Sequence, residues 1–407
     1  NFMSVLSSSF AIFFLYLSLV IIIKKFTRLV NENPENAKFS ILGSSAIGSL
    51  SLCFSDSFWF NAVEAEVYAM ATLILSVLFW LALKWEEEMN TEYGDKWLLI
   101  ISFVIGLSFG VHFMGLLTIP AIGMIYFFKN TKKITFKNFI LSNLISVAIL
   151  LFIFKLLLPS TLAIFGKVEV YFVNNLDLPF NTGTIFTGVF ILLLFYYSLK
   201  FTTQKNWVNI NTGILCLFFV LLGFSSWIML PIRANANTVI NENSPTDARQ
   251  LLAYYNLEQY PETKLFYGPM FSDMYAGQDD IEPYIDDKPK YERNYKLKKY
   301  VIVNNWEEAK VNSNRNHRGV LPRLWSPEHA ENYINFTGPL NFKLSSEYKN
   351  NDELKSVVSN FYQQQLDGEL TGEDYHNFYK NMARYIDIEK PSFLSNLYFF
   401  ITYQVKV

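Results

Sequence analysis

Phe58–Met70 reads FWFNAVEAEVYAM, with Glu64 and Glu66 set between two strongly apolar segments. A charged side chain at the centre of a bilayer costs about 2.5–3.5 kcal/mol, so an acidic pair at a membrane boundary is a candidate functional site. The flanking composition supports that setting. Over 407 residues the chain is 51% hydrophobic, 17% aromatic and only 17% charged, and its mean hydropathy is +0.18. That is too apolar for an ordinary soluble domain and reads as a polytopic membrane protein. The net charge of −2 comes with no basic face, which excludes a nucleic-acid partner.

The apolar character is confined to residues 1–233; after Arg233 the chain becomes rich in Tyr, Asn and Asp. Three regions are therefore expected: a membrane domain over 1–233, an extracytoplasmic α/β domain over 234–389, and an interfacial or further membrane segment starting within 390–407. Crossing the hydrocarbon takes about 20 apolar residues as a helix. The segments that approach this are Ser4–Ile23, Ser40–Phe60, Val67–Leu83, Trp97–Gly110, Phe113–Phe128, Phe139–Leu158, Thr184–Ser198 and Ile214–Leu230. The fourth and fifth are short, and read either as two helices or as one long broken one. The chain enters its first span almost at once and stops within an aromatic run, so it reads as an internal piece of a longer protein.

Lys and Arg follow every odd span: Lys24, Lys25 and Arg28, then Lys84, then Lys129, Lys132, Lys133 and Lys137, then Lys200 and Lys205. By the positive-inside rule these ends are cytoplasmic. Glu64, Glu66, His112, a Pro159–Gly183 loop, Arg233 and the C-terminal region then share the opposite face.

Both cysteines, Cys53 and Cys216, lie in apolar runs and read as packing residues. The four histidines have no metal-ligand spacing, so no structural zinc site is expected, while a divalent ion on the outer-face acids stays an open alternative without a dedicated ligand set. After Ala234, helical spacing covers Asp247–Tyr260, Glu347–Gln365 and Gly372–Ile386, and strand-like runs cover Lys264–Tyr267 and Tyr300–Val303. The acidic pair Asp279–Asp280 reads as a solvated face.

Three stretches carry a family resemblance: FSDSFWFNAVEAEVYAMATL (54–73), GLSFGVHFMGLLTIPA (106–121) and MLPIRANANTVINENSPTD (229–247). LLAYYNLEQY, LFYGP, VLPRLWS and the terminal NLYFFITYQVKV extend it. Together they resemble the bacterial membrane family known as domain of unknown function 2723, assigned to glycosyltransferase family 117 and related to a vertebrate protein O-mannosyltransferase. The resemblance implies a mainly α, GT-C type membrane helix bundle in the bacterial inner membrane. It further implies a polyprenyl-phosphate-linked sugar as donor and exported proteins as acceptors, with transfer on the periplasmic side. An acidic Asp-x-Gly-Glu-type segment would lie upstream of Asn1, leaving Glu64 and Glu66 as supporting members of a divided site.

Sugar transfer to a Ser or Thr hydroxyl needs a base for the hydroxyl proton, and cationic or hydrogen-bonding groups on the departing phosphate. The catalytic candidates are Glu64, Glu66 and His112; the donor-phosphate or substrate-binding candidates are Arg233, Asn235, Tyr68 and Arg323. Each also has a structural reading. If residues 62–84 are helical, Glu64 shares a face with Tyr68 while Glu66 points away, and either acid is equally a helix cap. Tyr68 fits an interfacial belt, His112 a hydrogen-bonded core position, and Arg233 a snorkelling membrane-edge residue. Turn chemistry accounts for Asn235, Asn237, Asn241 and Asn243, and His317, Arg323 and Trp325 fit a solvated loop with an anchoring Trp.

The leading function is thus a membrane O-mannosyltransferase that inverts the anomeric centre. The alternatives are a transporter or lipid flippase, and a non-catalytic membrane scaffold whose soluble domain binds partners. Transport predicts ionisable residues at mid-depth, whereas here they gather at one face.

Overall fold

The computed structural model describes residues 1–28, 34–236, 238–240, 243–260, 264, 266–270, 278–279, 281–321, 341–389 and 392–403. The chain divides into two compact units, Asn1–Leu257 and Glu258–Val407. The division falls later than the composition break at Arg233.

All regular elements among the described residues of the first unit are helical. Its elements are α1 (Phe2–Arg28), α2 (Pro34–Cys53), α3 (Asp56–Val63), α4 (Tyr68–Glu88), α5 (Asp95–Ser108), a 3-10 turn (Phe113–Leu117), α6 (Thr118–Asn130), α7 (Phe136–Leu151), a π turn (Phe152–Leu157), α8 (Leu158–Asn175), α9 (Thr182–Gln204), α10 (Val208–Phe224), a second 3-10 turn (Ser225–Ile228), α11 (Met229–Asn235) and α12 (Ala248–Tyr255). Six helical runs among the described residues are long and apolar enough to cross a membrane, or seven if the bent pair α2–α3 counts as one span. The architecture is a polytopic membrane helix bundle.

All eight expected segments contain a helix; three boundaries change, and the open alternative over 97–128 resolves. The second is broken at Phe54–Ser55, with α2 and α3 bent by 65°. The region 97–128 resolves into two helices, α5 and α6, joined by the 3-10 turn. The expected Pro159–Gly183 loop is helical as far as Asn175, within a continuous run over Phe136–Asn175. Arg233 lies inside α11, on the helical run Val208–Asn235, rather than just beyond the last span.

The break in the long run has a chemical cause at Pro159. The N–H of Leu158 bonds back to the carbonyl of Ile153, five residues earlier, as a π turn requires. The next bond in that register would run from residue 159 to the carbonyl of Phe154, and proline has no N–H to give. The Tyr255 hydroxyl, brought in by α12, donates to that carbonyl at 2.6 Å. Burial pushes the Tyr255 phenol above its ordinary range. Its ring is buried among Phe109, Phe113, Phe154, Phe224 and Trp227.

Close helix contacts rest on small residues, as in membranes where apolar side chains gain little from leaving lipid. At the α5–α10 crossing, a Cβ on Gly106 would sit 2.1 Å from the carbonyl oxygen of Val220, and one on Gly223 would sit 2.2 Å from that of Phe103. Past this crossing Trp227 Nε1 donates to the carbonyl of Phe109 at 2.7 Å, satisfying a helix-end acceptor left open where α5 stops. In α8 the buried Glu169 accepts from the N–H groups of Asn181 and Thr184, at 2.6 and 2.9 Å, and from the Thr184 hydroxyl at 3.1 Å. A carboxylate is favourable there, at the start of α9.

Among its described residues the second unit carries four antiparallel two-stranded ladders: Tyr267–Pro269 with Arg318–Val320, Tyr284–Ile285 with Lys310–Val311, Tyr291–Asn294 with Lys299–Ile302, and Phe342–Leu344 with Ile386–Ile388. Helices Asp352–Leu366 and Gly372–Met382 pack Phe361, Tyr375, Tyr379 and Met382 around Phe342 and Ile386. It is the mixed α/β unit expected from its composition. Asp279 is not on a solvated face: its side chain is 1% exposed and bonded to the Arg315 guanidinium at 2.8 and 2.9 Å. His317, read as part of a solvated loop, is also buried, edge-on to Tyr379.

Candidate functional site

The acidic pair does not lie on a helix face. α3 stops at Val63, Glu64 has extended backbone (φ −77°, ψ 148°), and the next helix begins only at Tyr68. The helix expected over 62–84 therefore starts later, and the four-residue spacing of Glu64 and Tyr68 bridges a non-helical link. Glu64 is half-buried in that link and Glu66 is exposed.

Tyr68 opens α4 and His112 closes the turn after α5, and tertiary packing brings their rings to a centroid distance of 5.9 Å. Two further contacts hold His112. Its N–H donates to the carbonyl of Ser108 at 2.8 Å, and its Nδ1 accepts the N–H of Met114 at 3.2 Å, capping the 3-10 turn. The turn folds tightly onto the end of α5, since a Cβ on Gly115 would meet Ser108 Oγ at 2.4 Å. An accepting Nδ1 places the ring proton of neutral His112 on Nε2. In this geometry His112 offers an Nε2–H donor, suited to an anionic oxygen more than to proton abstraction at that atom.

The other described candidates have their own local settings. Arg233 is exposed on α11, which follows the 3-10 turn that carries Trp227. Asn235 uses its amide nitrogen on the carbonyls of Pro231 and Thr246, at 2.8 and 3.0 Å, and so ties the chain after α11 to the approach to α12. Arg323, Trp325, Asn237 and Asn241 lie outside the described residues. Among the described residues no group of three or more His, Cys, Asp or Glu side chains is placed to hold a metal ion.

Sequence reading missed the buried polar groups that hold this framework, Glu169 and Tyr255 among them. Glu169 stands in KVEVYFV, a lone acid in an otherwise apolar alternation, and that isolation was its only signal. Asp279 was hidden because its partner Arg315 lies far along the chain.

A polytopic helix bundle with a half-buried carboxylate, a phenol and an oriented imidazole at a helix junction defines an integral membrane protein with a polar site. Residues 1–135 match the family model for the protein O-mannosyl-transferase TMEM260 N-terminal domain. Residues 261–401 match a family of unknown function, DUF8416. No curated protein and no solved structure matches. The first match contains Glu64, Glu66, Tyr68 and His112, and supports an O-mannosyltransferase-like protein glycosyltransferase. Such an activity implies a sugar donor and a protein acceptor.

Proposed function

We propose that this chain forms the membrane part of a GT-C type protein O-mannosyltransferase of the bacterial inner membrane. It takes mannose from a polyprenyl-phosphate carrier and transfers it to Ser or Thr hydroxyls of exported proteins at the periplasmic face. The observation that carries the reading is the similarity of residues 1–135 to a protein O-mannosyl-transferase domain. The Tyr68–His112 contact beside the Glu64 link, inside that segment, supports it.

The chemistry is a single displacement. The acceptor hydroxyl oxygen attacks the anomeric carbon, its proton passes to a carboxylate, and the carbon–oxygen bond to phosphate breaks with its electron pair leaving on the phosphate. The anomeric centre inverts. Glu64 is the carboxylate assigned to the proton. The Nε2–H of His112 and the guanidinium of Arg233 are assigned to the charge growing on the phosphate. The second unit, Glu258–Val407, is assigned to the periplasm, where it holds the acceptor polypeptide.

Glycoproteomics of cells lacking the full-length protein tests the reading directly. A defined O-linked hexose should disappear from exported proteins and return on complementation. An unchanged glycoproteome would overturn the proposed activity.

A further inference from the structure

α2 comprises 20 residues, about 30 Å at 1.5 Å per residue, and its stretch after Lys38, Phe39–Cys53, covers about 22 Å of that, so α2 carries the chain most of the way across the hydrocarbon core. α4 has 21 residues and crosses back by the same reckoning. α3 lies between α2 and the complete crossing α4, with only a few ångströms of thickness left to span. The 65° bend places it within about 25° of the membrane plane when α2 runs along the normal.

Its exposed side chains suit that position. Trp59, Phe60 and Val63, spaced three and four residues apart, share one face, and they are 54%, 63% and 46% exposed. Phe54, at the bend, is 71% exposed and stacks on Trp59 with ring centroids 6.1 Å apart. Phe58, Asn61 and Ala62 are half-buried on the side turned toward the bundle. Asp56 heads the exposed face in the first helical turn, where negative charge is favoured. Aromatic rings gather at bilayer interfaces, and an apolar helix face lying in the plane sinks about 5–10 Å below the head groups.

We infer that α3 is an in-plane interfacial helix whose Trp59–Phe60–Val63 face rests in the head-group and acyl-chain boundary of the bilayer. The partner is the lipid surface itself, covering a face flanked on both sides by membrane-crossing helices. The consequence for the site is positional. α3 ends on Glu64, so its anchorage sets the height at which the Glu64 link and the Tyr68–His112 contact meet the membrane surface. This inference rests on helix length and bend, and stands independently of any transferase activity.

The test uses the intact chain reconstituted in phosphatidylcholine vesicles that carry bromine either near the head group or near the acyl-chain end. Subtracting the fluorescence of Trp59→Phe from that of the unaltered protein isolates Trp59 among the eight tryptophans. Shallow bromines should quench this component at least twofold more than deep ones. Stronger quenching by deep bromines would make α3 the second half of a spanning helix and overturn the inference. No quenching by either would mean that water or another polypeptide covers the face, and would overturn it equally. If Trp59→Phe does not fold, a nitroxide at position 60 gives the same decision. Oxygen accessibility exceeding that of a water-soluble nickel complex supports the inference, and the reverse order or low values for both refute it.

Discussion

Adding one methyl group at the α5–α10 crossing should destabilise the membrane unit, whereas the same change elsewhere on α10 should not. In Gly106→Ala the new Cβ would lie 2.1 Å from the Val220 oxygen and 2.9 Å from its carbonyl carbon. In Gly223→Ala it would lie 2.2 Å from the Phe103 oxygen and 2.6 Å from the Leu107 nitrogen. Those neighbours are backbone atoms, so no side-chain rotation relieves the contact and the helices must separate by about 1 Å. Overpacking of this kind costs about 1–3 kcal/mol, and the gain in helix propensity from glycine to alanine returns about 1 kcal/mol. Each variant should therefore lose a net of up to about 2 kcal/mol. Gly213, also on α10, has nothing within 4 Å of its would-be Cβ. Gly213→Ala should be neutral or up to about 1 kcal/mol more stable. Reversible unfolding in mixed micelles measures all three, and the Gly106→Ala/Gly223→Ala double variant should lose less than the sum because the helices separate once. Equal stability of Gly106→Ala and Gly213→Ala would refute the backbone-to-backbone crossing.

Tyr255→Phe should cost about 1–3 kcal/mol by leaving the Phe154 carbonyl without its donor, and hydrogen exchange should rise around the π turn; unchanged protection there would show that another group satisfies this acceptor. His112→Asn, which keeps a capping acceptor but removes Nε2–H, should hold stability near that of the unaltered protein while transfer falls at least tenfold; His112→Ala should lose about 1 kcal/mol as well, and full transfer in both would remove His112 from the chemistry. The Arg315 guanidinium and three backbone N–H groups hold the Asp279 carboxyl well below the usual carboxylate range. A depressed folded-state pKa gives stability that is present above the unfolded value of about 3.9 and is lost as pH falls below it. Exchange at the Ile281, Glu282 and Arg315 amides of the full chain should therefore accelerate below about pH 4, and Asp279→Asn should abolish that step; a pH-independent pattern in the unaltered chain would contradict the clamp.

Much of this protein is legible in its residues taken in order. Long apolar runs identify membrane helices because each must satisfy its own backbone in lipid, and the composition shift after Arg233 announces a second, water-facing kind of chain. The FWFNAVEAEVYAM stretch likewise marks a polar interruption at a helix junction without any structure. What periodicity could not supply was where the helices stop. Glu64 and Tyr68 have helical spacing, yet α3 ends at Val63, before the acids, and Glu64 takes extended backbone. Pro159 suggested a loop, but the helix continues because a tyrosine from a distant segment supplies the missing donor. Tyr68 and His112 meet only in three dimensions, as do Gly106 with Gly223 and Asp279 with Arg315. Local sequence determines which segments prefer lipid, since transfer free energy adds up residue by residue. Which side chains face one another is decided by tertiary structure, because that depends on crossings, bends and partners that no single segment contains.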